Sequence, residues 1–351
     1  MATITKSQID KLFRIAAEKK ASDLHLLAGQ PPILRISGVL APIEKEKPLS
    51  SKEIFDLISS ITTEEQLNKY ERERELDFAY EIEGISRFRV NAHWERNNAG
   101  MVARVLSLDI PTMEDVLMPE VVYNLARMKQ GLIVVTGPTG SGKSTSLAAI
   151  IDFINKERNE HIVTLEDPIE YVHNPIQSYI RQRQLGTDFI FFSEGLKRVV
   201  RQDPDVILVG EMRDLETIAA ALTIAETGHL VFATLHTNGA AQTIDRIIDV
   251  FPPHQQEQIK LQLSMELRAV ISQVLIPKIN GGVIAAREIM INTPAVANLI
   301  RENKVPQLKS VIQTSSKEGM MSLDQNLKDL YKNKLISKET ALSYMTSDTK
   351  L

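Results

Sequence analysis

The most constraining feature of the sequence is a short stretch, "GPTGSGKST", that runs from Gly137 to Thr145. It matches the pattern G-x-x-x-x-G-K-[ST], and it lies between the apolar run "GLIVVTG" and the helical pattern "SLAAIIDFI". A strand, a glycine loop and a helix in this order present backbone N–H groups and a helix N-terminus to phosphate. The chain is therefore predicted to contain a nucleotide-binding α/β domain.

The residue types in this loop predict its contacts with ATP. Lys143 is expected to contact the β- and γ-phosphates, and Ser144 is expected to ligate Mg²⁺. The glycines let the backbone approach the phosphates closely. We predict that the whole loop binds the nucleotide, through Gly137, Pro138, Thr139, Gly140, Ser141, Gly142, Lys143, Ser144 and Thr145.

Two further apolar runs end in carboxylates. "HIVTLED" contains Glu166 and Asp167, and "DVILVGE" ends in Glu211. Open α/β sheets bind ligands at the carboxyl ends of their strands, and phosphoryl transfer needs one carboxylate near Mg²⁺ and another near the attacking water. The two strand ends are therefore expected to converge on the γ-phosphate. The alternative is that these acids cap helices, and the residues alone leave open which glutamate is the base. Glu170 is expected to be solvated or in a local salt bridge.

The composition excludes several classes of protein. The 351 residues are enough for two domains with separate cores. The absence of cysteine excludes a disulfide scaffold and a cysteine-ligated zinc site. The formal net charge of −4 argues against direct nucleic-acid binding as the main role. No run of about 18 apolar residues and no signal-peptide core occur, so we expect a cytoplasmic protein without a transmembrane segment.

The first part of the chain, up to about residue 108, is predicted to be an α+β unit with an antiparallel sheet. Residues 32–43 alternate between apolar and polar around a Ser-Gly turn, which predicts a hairpin. Two more strands are expected to join at Glu83-Gly84. Residues 51–61 combine an N-cap serine with apolar residues at helical spacing, which predicts a helix.

The rest of the chain follows a different pattern. Pro111 and Pro119 predict an interdomain linker over residues 109–120. Beyond it, apolar strands alternate with helical stretches, which predicts a parallel sheet covered on both faces. From about residue 253 the pattern predicts helices to the end, beginning with one long helix over residues 253–276. The predicted domains are 1–108 and 121–351.

Four motifs together resemble one family. They are "GPTGSGKST", "TLEDPIEYVH", "DPDVILVGEMRDLET" and "AETGHLVFATLHTNGAAQTIDRIIDVFP". They are similar to the secretion-ATPase superfamily, and specifically to the type IV pilus retraction ATPases of the PilT/PilU family. The resemblance also covers "ASDLHLLAG" and "LISKETAL". It implies a PAS-like N-terminal α+β domain, a RecA-like P-loop ATPase domain with a helical C-terminal extension, and Mg²⁺-dependent hydrolysis of ATP.

The resemblance also implies roles for single residues. "LEDPIE" corresponds to the family's Asp box, whose first glutamate is the general base, here Glu166. Glu211 corresponds to the Walker B residue near Mg²⁺, although the usual Walker B pattern has an aspartate. The segment with His229 and His236 corresponds to the His box, which places His229 near the nucleotide at a subunit contact. A shared metal is not expected, because the two histidines lie roughly 23 Å apart on a straight strand.

Arginines of the first domain form another candidate group. If the chain turns at Arg96 and Asn97, Arg89 and Arg104 lie opposite each other on neighbouring strands. Two paired arginines repel each other unless an anion lies between them. The resemblance implies that arginines of this domain reach the nucleotide. The alternative is that both are surface arginines matched to nearby acids, and Asn97 stands where many family members have an arginine.

The predicted function is a homohexameric ATP-hydrolysing motor that powers pilus retraction and twitching motility. Its expected partners are the inner-membrane pilus platform protein and possible paralogous retraction ATPases. The alternatives are an ATPase for pilus assembly, type II secretion or DNA uptake, and a low-turnover accessory paralogue. The absence of a tetracysteine insert favours retraction over assembly. Val296 and Ala297 depart from a motif common in retraction ATPases, and "WERNNAGMV" is closer to the PilU branch than to PilT.

Overall fold

The computed structural model describes residues 2–36, 38–106 and 109–346, with side chains from residue 6 onward. The chain divides into two units, Met1–Asp109 and Ile110–Leu351. This division falls next to the boundary predicted at residue 108, which itself lies outside the described residues. Each unit contains its own β-sheet.

The first unit contains a six-stranded sheet in the order β3-β2-β1-β6-β5-β4. All of its neighbouring strands run antiparallel, as predicted. Its strands are β1 (Asp23–Leu26), β2 (Ile33–Ile36), β3 (Val39–Pro42), β4 (Glu75–Ile82), β5 (Ser86–Glu95) and β6 (Asn98–Leu106), and its helices are α1 (Ala2–Glu18), α2 (Ser51–Ser59) and α3 (Glu64–Glu73).

Local predictions for this unit are confirmed with one shift. β2 and β3 form the predicted hairpin, whose Ser37 lies outside the described residues. The next two strands join at Glu83-Gly84, as expected. The cap of α2 is Ser50, one residue before the serine that begins the predicted stretch. Its side chain accepts a hydrogen bond from the backbone of Glu53, and the Glu53 side chain completes a capping box.

One face of this sheet is packed and the other is not. Phe13 of α1 stacks on Phe88 of β5, with ring centroids 4.3 Å apart. Val90 and Ala92, on the same face of β5 as Phe88, are fully buried. Because side chains alternate along a strand, Arg89 points to the opposite face and is exposed.

The second unit contains a seven-stranded sheet in the order β13-β12-β7-β11-β10-β8-β9. Neighbouring strands from β12 to β9 run parallel, and β13 is an antiparallel edge strand. Its strands are β7 (Gly131–Thr136), β8 (His161–Glu166), β9 (Tyr179–Gln184), β10 (Val206–Val209), β11 (Leu230–Thr234), β12 (Leu267–Pro277) and β13 (Val283–Ile291). Its helices are α4 (Glu120–Ala126), α5 (Lys143–Glu157), α6 (Phe192–Val199), α7 (Leu215–Glu226), α8 (Ala240–Asp249), α9 (Pro253–Glu266), α10 (Pro294–Arg301), α11 (Leu308–Thr314), α12 (Leu323–Lys332) and α13 (Lys338–Tyr344).

The buried, largely parallel sheet was predicted correctly. Every residue of β7, β10 and β11 is buried, as expected for strands covered on both faces. β9 was not predicted, because its sequence "YIRQRQ" has the polar composition of a surface segment. In its burial pattern only Ile180 is buried, which is consistent with a strand at the edge of the sheet.

The prediction of helices from residue 253 to the end was wrong for residues 267–291. The long helix ends at Glu266, and the chain continues as the hairpin of β12 and β13. Apolar residues on both faces of a buried strand and on a fully buried helix give similar patterns. Seven of the eleven residues of β12 are buried, six of them among its first seven residues, a distribution that no single helical stripe produces. Helices resume at α10, where Thr293 is the N-cap and Pro294 the first helical residue, as predicted.

The segment predicted as a linker packs into the second unit. Met113 and Met118 are both buried in its hydrophobic core. Pro119 is the N-cap of α4. Residues 110–120 therefore have a fixed place in the second unit and do not form free chain.

Within the described part of the chain, no helix is both long and apolar enough to cross a membrane.

Candidate nucleotide-binding site

The phosphate loop connects the buried strand β7 to α5. Gly142 ends the loop with φ +83°, a left-handed backbone conformation that residues other than glycine rarely adopt. At Gly137 the limit is steric, because an added Cβ atom would lie 2.2 Å from the backbone oxygen of Gln273. The loop therefore has the shape that the motif predicts, and β12 packs directly against its first residue.

Lys143, the first residue of α5, turns back over the loop. Its Nζ donates hydrogen bonds to the carbonyl oxygens of Gly137 at 2.8 Å and Pro138 at 3.1 Å. Burial lowers the pKa of Lys143, and the nearby Glu211 and Glu170 carboxylates act against that shift. The ammonium group is thus held above the concave side of the loop, where a bound phosphate would meet it.

Glu211 follows β10, and the strand order brings it near the loop. β11 lies between β7 and β10, so the second residue after β11 can fall between the loop and Glu211. That residue is His236, whose Nδ1 lies 3.4 Å from Lys143 Nζ and whose Nε2 lies 3.4 Å from Glu211 Oε2. The other oxygen of Glu211 forms an ion pair with Arg213. The sequence did not predict that His236 would lie at the centre of the site.

Glu166 ends β8, next to the end of β10. Its Oε1 accepts hydrogen bonds from Thr164 Oγ1 at 2.6 Å and from Gln182 Nε2 at 3.0 Å. Gly210 permits the close approach of the two strand ends, because an added Cβ would lie 3.1 Å from the Cα of Glu166. The phosphate loop, Glu166 and Glu211 therefore all lie at the carboxyl edge of the parallel strands, as expected, and their convergence on a γ-phosphate stays a prediction.

The segment that follows Glu166 is anchored to the phosphate loop and to β9 through Tyr171. The hydroxyl groups of Tyr171 and Thr145 lie 3.0 Å apart. Gln182 donates to the backbone oxygen of Tyr171 at 2.8 Å. Asp167 is exposed, while Glu166 and Glu170 are half-buried.

His229 lies at the opposite edge of the sheet from the phosphate loop. It precedes β11, and its backbone oxygen accepts a hydrogen bond from Gly131 at the beginning of β7. Its ring is held by Thr227 Oγ1 and the backbone oxygen of Ile224, each at 3.1 Å. His229 therefore does not reach the nucleotide site of its own chain, and its predicted role at a contact between subunits stays a prediction.

The predicted pairing of Arg89 with Arg104 is confirmed. The two residues are directly opposite each other on β5 and β6, and the chain turns at Arg96 and Asn97, both with positive φ. Arg104 Nε donates to Asp23 Oδ1 at 3.1 Å, which matches the alternative of an arginine paired with a nearby acid. A contact of either arginine with nucleotide stays a prediction.

The residues predicted to ligate Mg²⁺ have suitable chemistry. The hydroxyl of Ser144 and the carboxylate of Glu211 are oxygen donors, the type that Mg²⁺ prefers. Ser144 is exposed on the first turn of α5. Among the described residues, no group of three or more His, Asp or Glu side chains could hold a metal on its own. This is consistent with a Mg²⁺ ion that takes its remaining ligands from phosphate and water.

Several polar residues of the site were not predicted. Gln182 and Gln273 lie on β9 and β12, strands that the sequence patterns missed. The signal that could have found Gln273 is an amide side chain in an apolar run, "VISQVLI", whereas Gln182 lies in the polar run "YIRQRQ", which carries no such signal. Such a buried amide needs partners for its donors and acceptors.

The chain is similar to known proteins over nearly its whole length. The family described as "Type II/IV secretion system protein" matches residues 2–323. The chain is 50% identical to the type IV pilus retraction ATPase PilT of Pseudomonas aeruginosa, over 95% of this chain and 96% of that protein. It is 42% identical to the type IV pilus ATPase PilU of the same organism, over 97% of this chain and 89% of that protein.

A solved structure has the same fold. The crystal structure of the pilus retraction motor PilT with bound ADP superimposes with a TM-score of 0.91 at 44% sequence identity, over 97% of this chain and 98% of that one. The predicted mixed α/β fold and the predicted family are therefore both confirmed. The chain belongs to the type II/IV secretion protein family, in the branch that contains the pilus retraction ATPases.

Proposed function

We propose that this chain hydrolyses ATP to ADP and phosphate and, as a homohexameric ring, powers the retraction of type IV pili in twitching motility. The observation that carries the proposal is the convergence of the phosphate loop, Glu211 and Glu166 at one sheet edge. It is supported by 50% identity to a PilT over nearly the whole length of both chains.

The arrangement supports a distinct task for each group. Lys143 binds the β- and γ-phosphates, while Ser144 and Glu211 hold Mg²⁺, which supplies charge neutralisation when it is bound. Glu166 accepts a proton from the water that attacks the γ-phosphate. The hydrogen bonds from Thr164 and Gln182 hold the Glu166 carboxylate in place at the end of β8.

Three further groups are proposed to act between domains or between subunits. Arg89 and Arg104 stabilise the charge that develops on the phosphates, a contribution typically worth about 10³ to 10⁵ in rate for an arginine finger. His229 acts at the contact between neighbouring subunits. All three proposals derive from the family resemblance.

The proposed setting is the cytoplasmic face of the inner membrane. There the ring turns the membrane-embedded pilus platform protein, with or without a paralogous retraction ATPase. A second candidate, a low-turnover accessory subunit, is favoured by the PilU-like segment "WERNNAGMV" and by Ala297. Over the whole chain, however, identity is 50% to PilT and 42% to PilU, which favours the motor with turnover.

The test combines turnover of the purified chain with complementation of a deletion strain. Glu166→Gln removes the proton acceptor and keeps the size of the side chain, so we expect bound ATP and no hydrolysis. Lys143→Ala should lose both. Deletion of the gene should leave surplus surface pili and abolish twitching, and only the wild-type gene and the control variant should restore retraction.

Glu160→Gln is the matched control, because this glutamate lies at the other end of the same strand, where it pairs with Arg158. Wild-type turnover by Glu166→Gln would overturn the assignment of the base. Loss of surface pili in the deletion strain would indicate assembly instead of retraction. A wild-type rate no higher than that of Lys143→Ala would favour the accessory subunit.

A further inference from the structure

Arg287 of β13 is a buried cation whose hydrogen-bond partners, among the residues that the structure describes, are all neutral. Only 2% of its surface is exposed. Its guanidinium donates to the backbone oxygens of Leu117 at 3.1 Å and Val116 at 3.0 Å, and to the hydroxyl of Ser146 at 3.4 Å. Burial lowers the pKa of Arg287 to about 10. A buried charge without a counter-ion costs stability, so its position calls for a reason.

The contacts of Arg287 lead to the phosphate loop. Arg287 is directly opposite Gln273 in the pairing of β13 with β12. Ser146 donates to Gln273 Oε1 at 2.9 Å, and Gln273 Nε2 donates to the backbone oxygen of Ser141 at 2.7 Å. Gln273 and Ser146 are nearly inaccessible to solvent. A continuous set of buried hydrogen bonds therefore runs from the guanidinium group to the middle of the loop.

At its other side, Arg287 fixes the segment that follows the division between the two units. Val116 and Leu117 lie between Met113 and Met118, whose side chains are buried in the core. Leu117 has φ +48°, a conformation that costs energy for a branched side chain and persists only when its surroundings hold it. The guanidinium group holds both backbone oxygens of this turn.

We propose that Arg287 is a positioning residue that keeps the phosphate loop in its nucleotide-binding shape and ties it to the turn at residues 116 and 117. It acts through Ser146 and Gln273 and does not touch the nucleotide. The inference rests on the proposed function, because it takes the loop to be the nucleotide site of this chain.

The test compares Arg287→Met with Arg158→Met in the full-length chain. Arg158 is also shielded and also donates to two backbone oxygens, those of Ala126 and Met128, at 2.7 Å each. It follows the far end of α5, away from the loop. Both variants should melt at a lower temperature. Titration with a fluorescent ADP analogue should show affinity weakened about tenfold in Arg287→Met and unchanged in Arg158→Met.

Ser146→Ala decides the matter if Arg287→Met does not fold. It removes the link to the loop and leaves Arg287 with its backbone contacts. We expect weaker ADP binding and a higher KM for ATP, with turnover at saturating ATP close to that of the wild type. Affinities equal to the wild type in every folded variant of Arg287 and Ser146 would overturn this inference alone. A wild-type chain that binds no ADP would overturn the proposed function together with it.

Discussion

Gln182 shows how a single amide can organise a site. Its Nε2 donates to Glu166 and to the backbone oxygen of Tyr171, and its Oε1 accepts from the backbone N–H of His173 at 2.8 Å. All three partners lie in the short segment from Glu166, the last residue of β8, to His173. One side chain of β9 therefore sets both the position of the proposed base and the path of the loop that follows it.

His173 is expected to make the fold sensitive to acid. It is buried, and burial lowers its pKa to about 4, against the opposing effect of Asp152. The unfolded chain binds a proton near pH 6.5 that the folded chain does not bind until about pH 4. The free energy of unfolding therefore has its full value above pH 6.5 and decreases as the pH falls from 6.5 toward 4. Between pH 7 and pH 5, His173→Gln should lose about 2 kcal/mol less unfolding free energy than the wild type.

Urea unfolding at pH 7, 6 and 5 measures this difference. His254→Gln is the control, because His254 is exposed and its replacement should leave the pH dependence as in the wild type. Parallel pH curves for His173→Gln and the wild type would contradict the prediction.

Among single residues, the sequence predicted candidates that belong to local motifs. Lys143 and Glu166 were found because each lies inside a contiguous pattern. His236 and Gln273 were missed because their proximity to the loop depends on strand order. β11 and β12 flank β7, an arrangement that no local pattern specifies.

The helix α10 has a buried side that packs in the core and another side that is closer to the surface. Val296 and Ile300 are fully buried on one side of the helix, while Ala297 is half-buried. At position 296 this chain keeps an apolar residue. A longer side chain at the next position, Ala297, would extend toward the surface, so the folding of α10 does not depend on the residue there.

The two positions should therefore respond differently to substitution. Val296→Ala should lower the free energy of unfolding by about 2 kcal/mol, because it removes two buried methyl groups and leaves a cavity. Ala297→Arg should change it by no more than about 0.5 kcal/mol. Chemical denaturation of both variants measures the difference. A large loss in Ala297→Arg would show that this face of α10 is packed.

The hairpin of β12 and β13 shows the limit of periodicity as a guide to an element. The stretch "LRAVISQVLI" satisfies a helical pattern and a buried-strand pattern about equally. The preceding helix α9 also has no glycine at its end to mark a stop, and Leu267 simply turns extended there. Only the empty place beside β7 in the sheet, a tertiary property, selects the strand.

Each of the two units of the chain has its own hydrophobic core. The core of the first unit is built from residues between Ile9 and Ala103, and the clusters of the second unit begin at Met113. No described residue belongs to clusters of both units. Each unit thus buries its apolar residues within itself, which is the physical condition for independent folding.

We therefore expect the fragment 1–109 to fold on its own. Its thermal unfolding, followed by circular dichroism, should be cooperative. Phe88→Ala is the control, because it removes the fully buried ring that stacks on Phe13 and should cost about 3 to 5 kcal/mol. A gradual loss of signal in the unsubstituted fragment would show that the first unit depends on the second.

The order of the strands also has a consequence for synthesis of the chain. β7 precedes both of its neighbours in the sheet, since β11 begins at Leu230 and β12 at Leu267. The support that Gln273 gives to the phosphate loop cannot exist until more than a hundred further residues have followed the loop out of the ribosome. A nascent chain that already displays the complete motif therefore still lacks this support, and so does any chain truncated before β12.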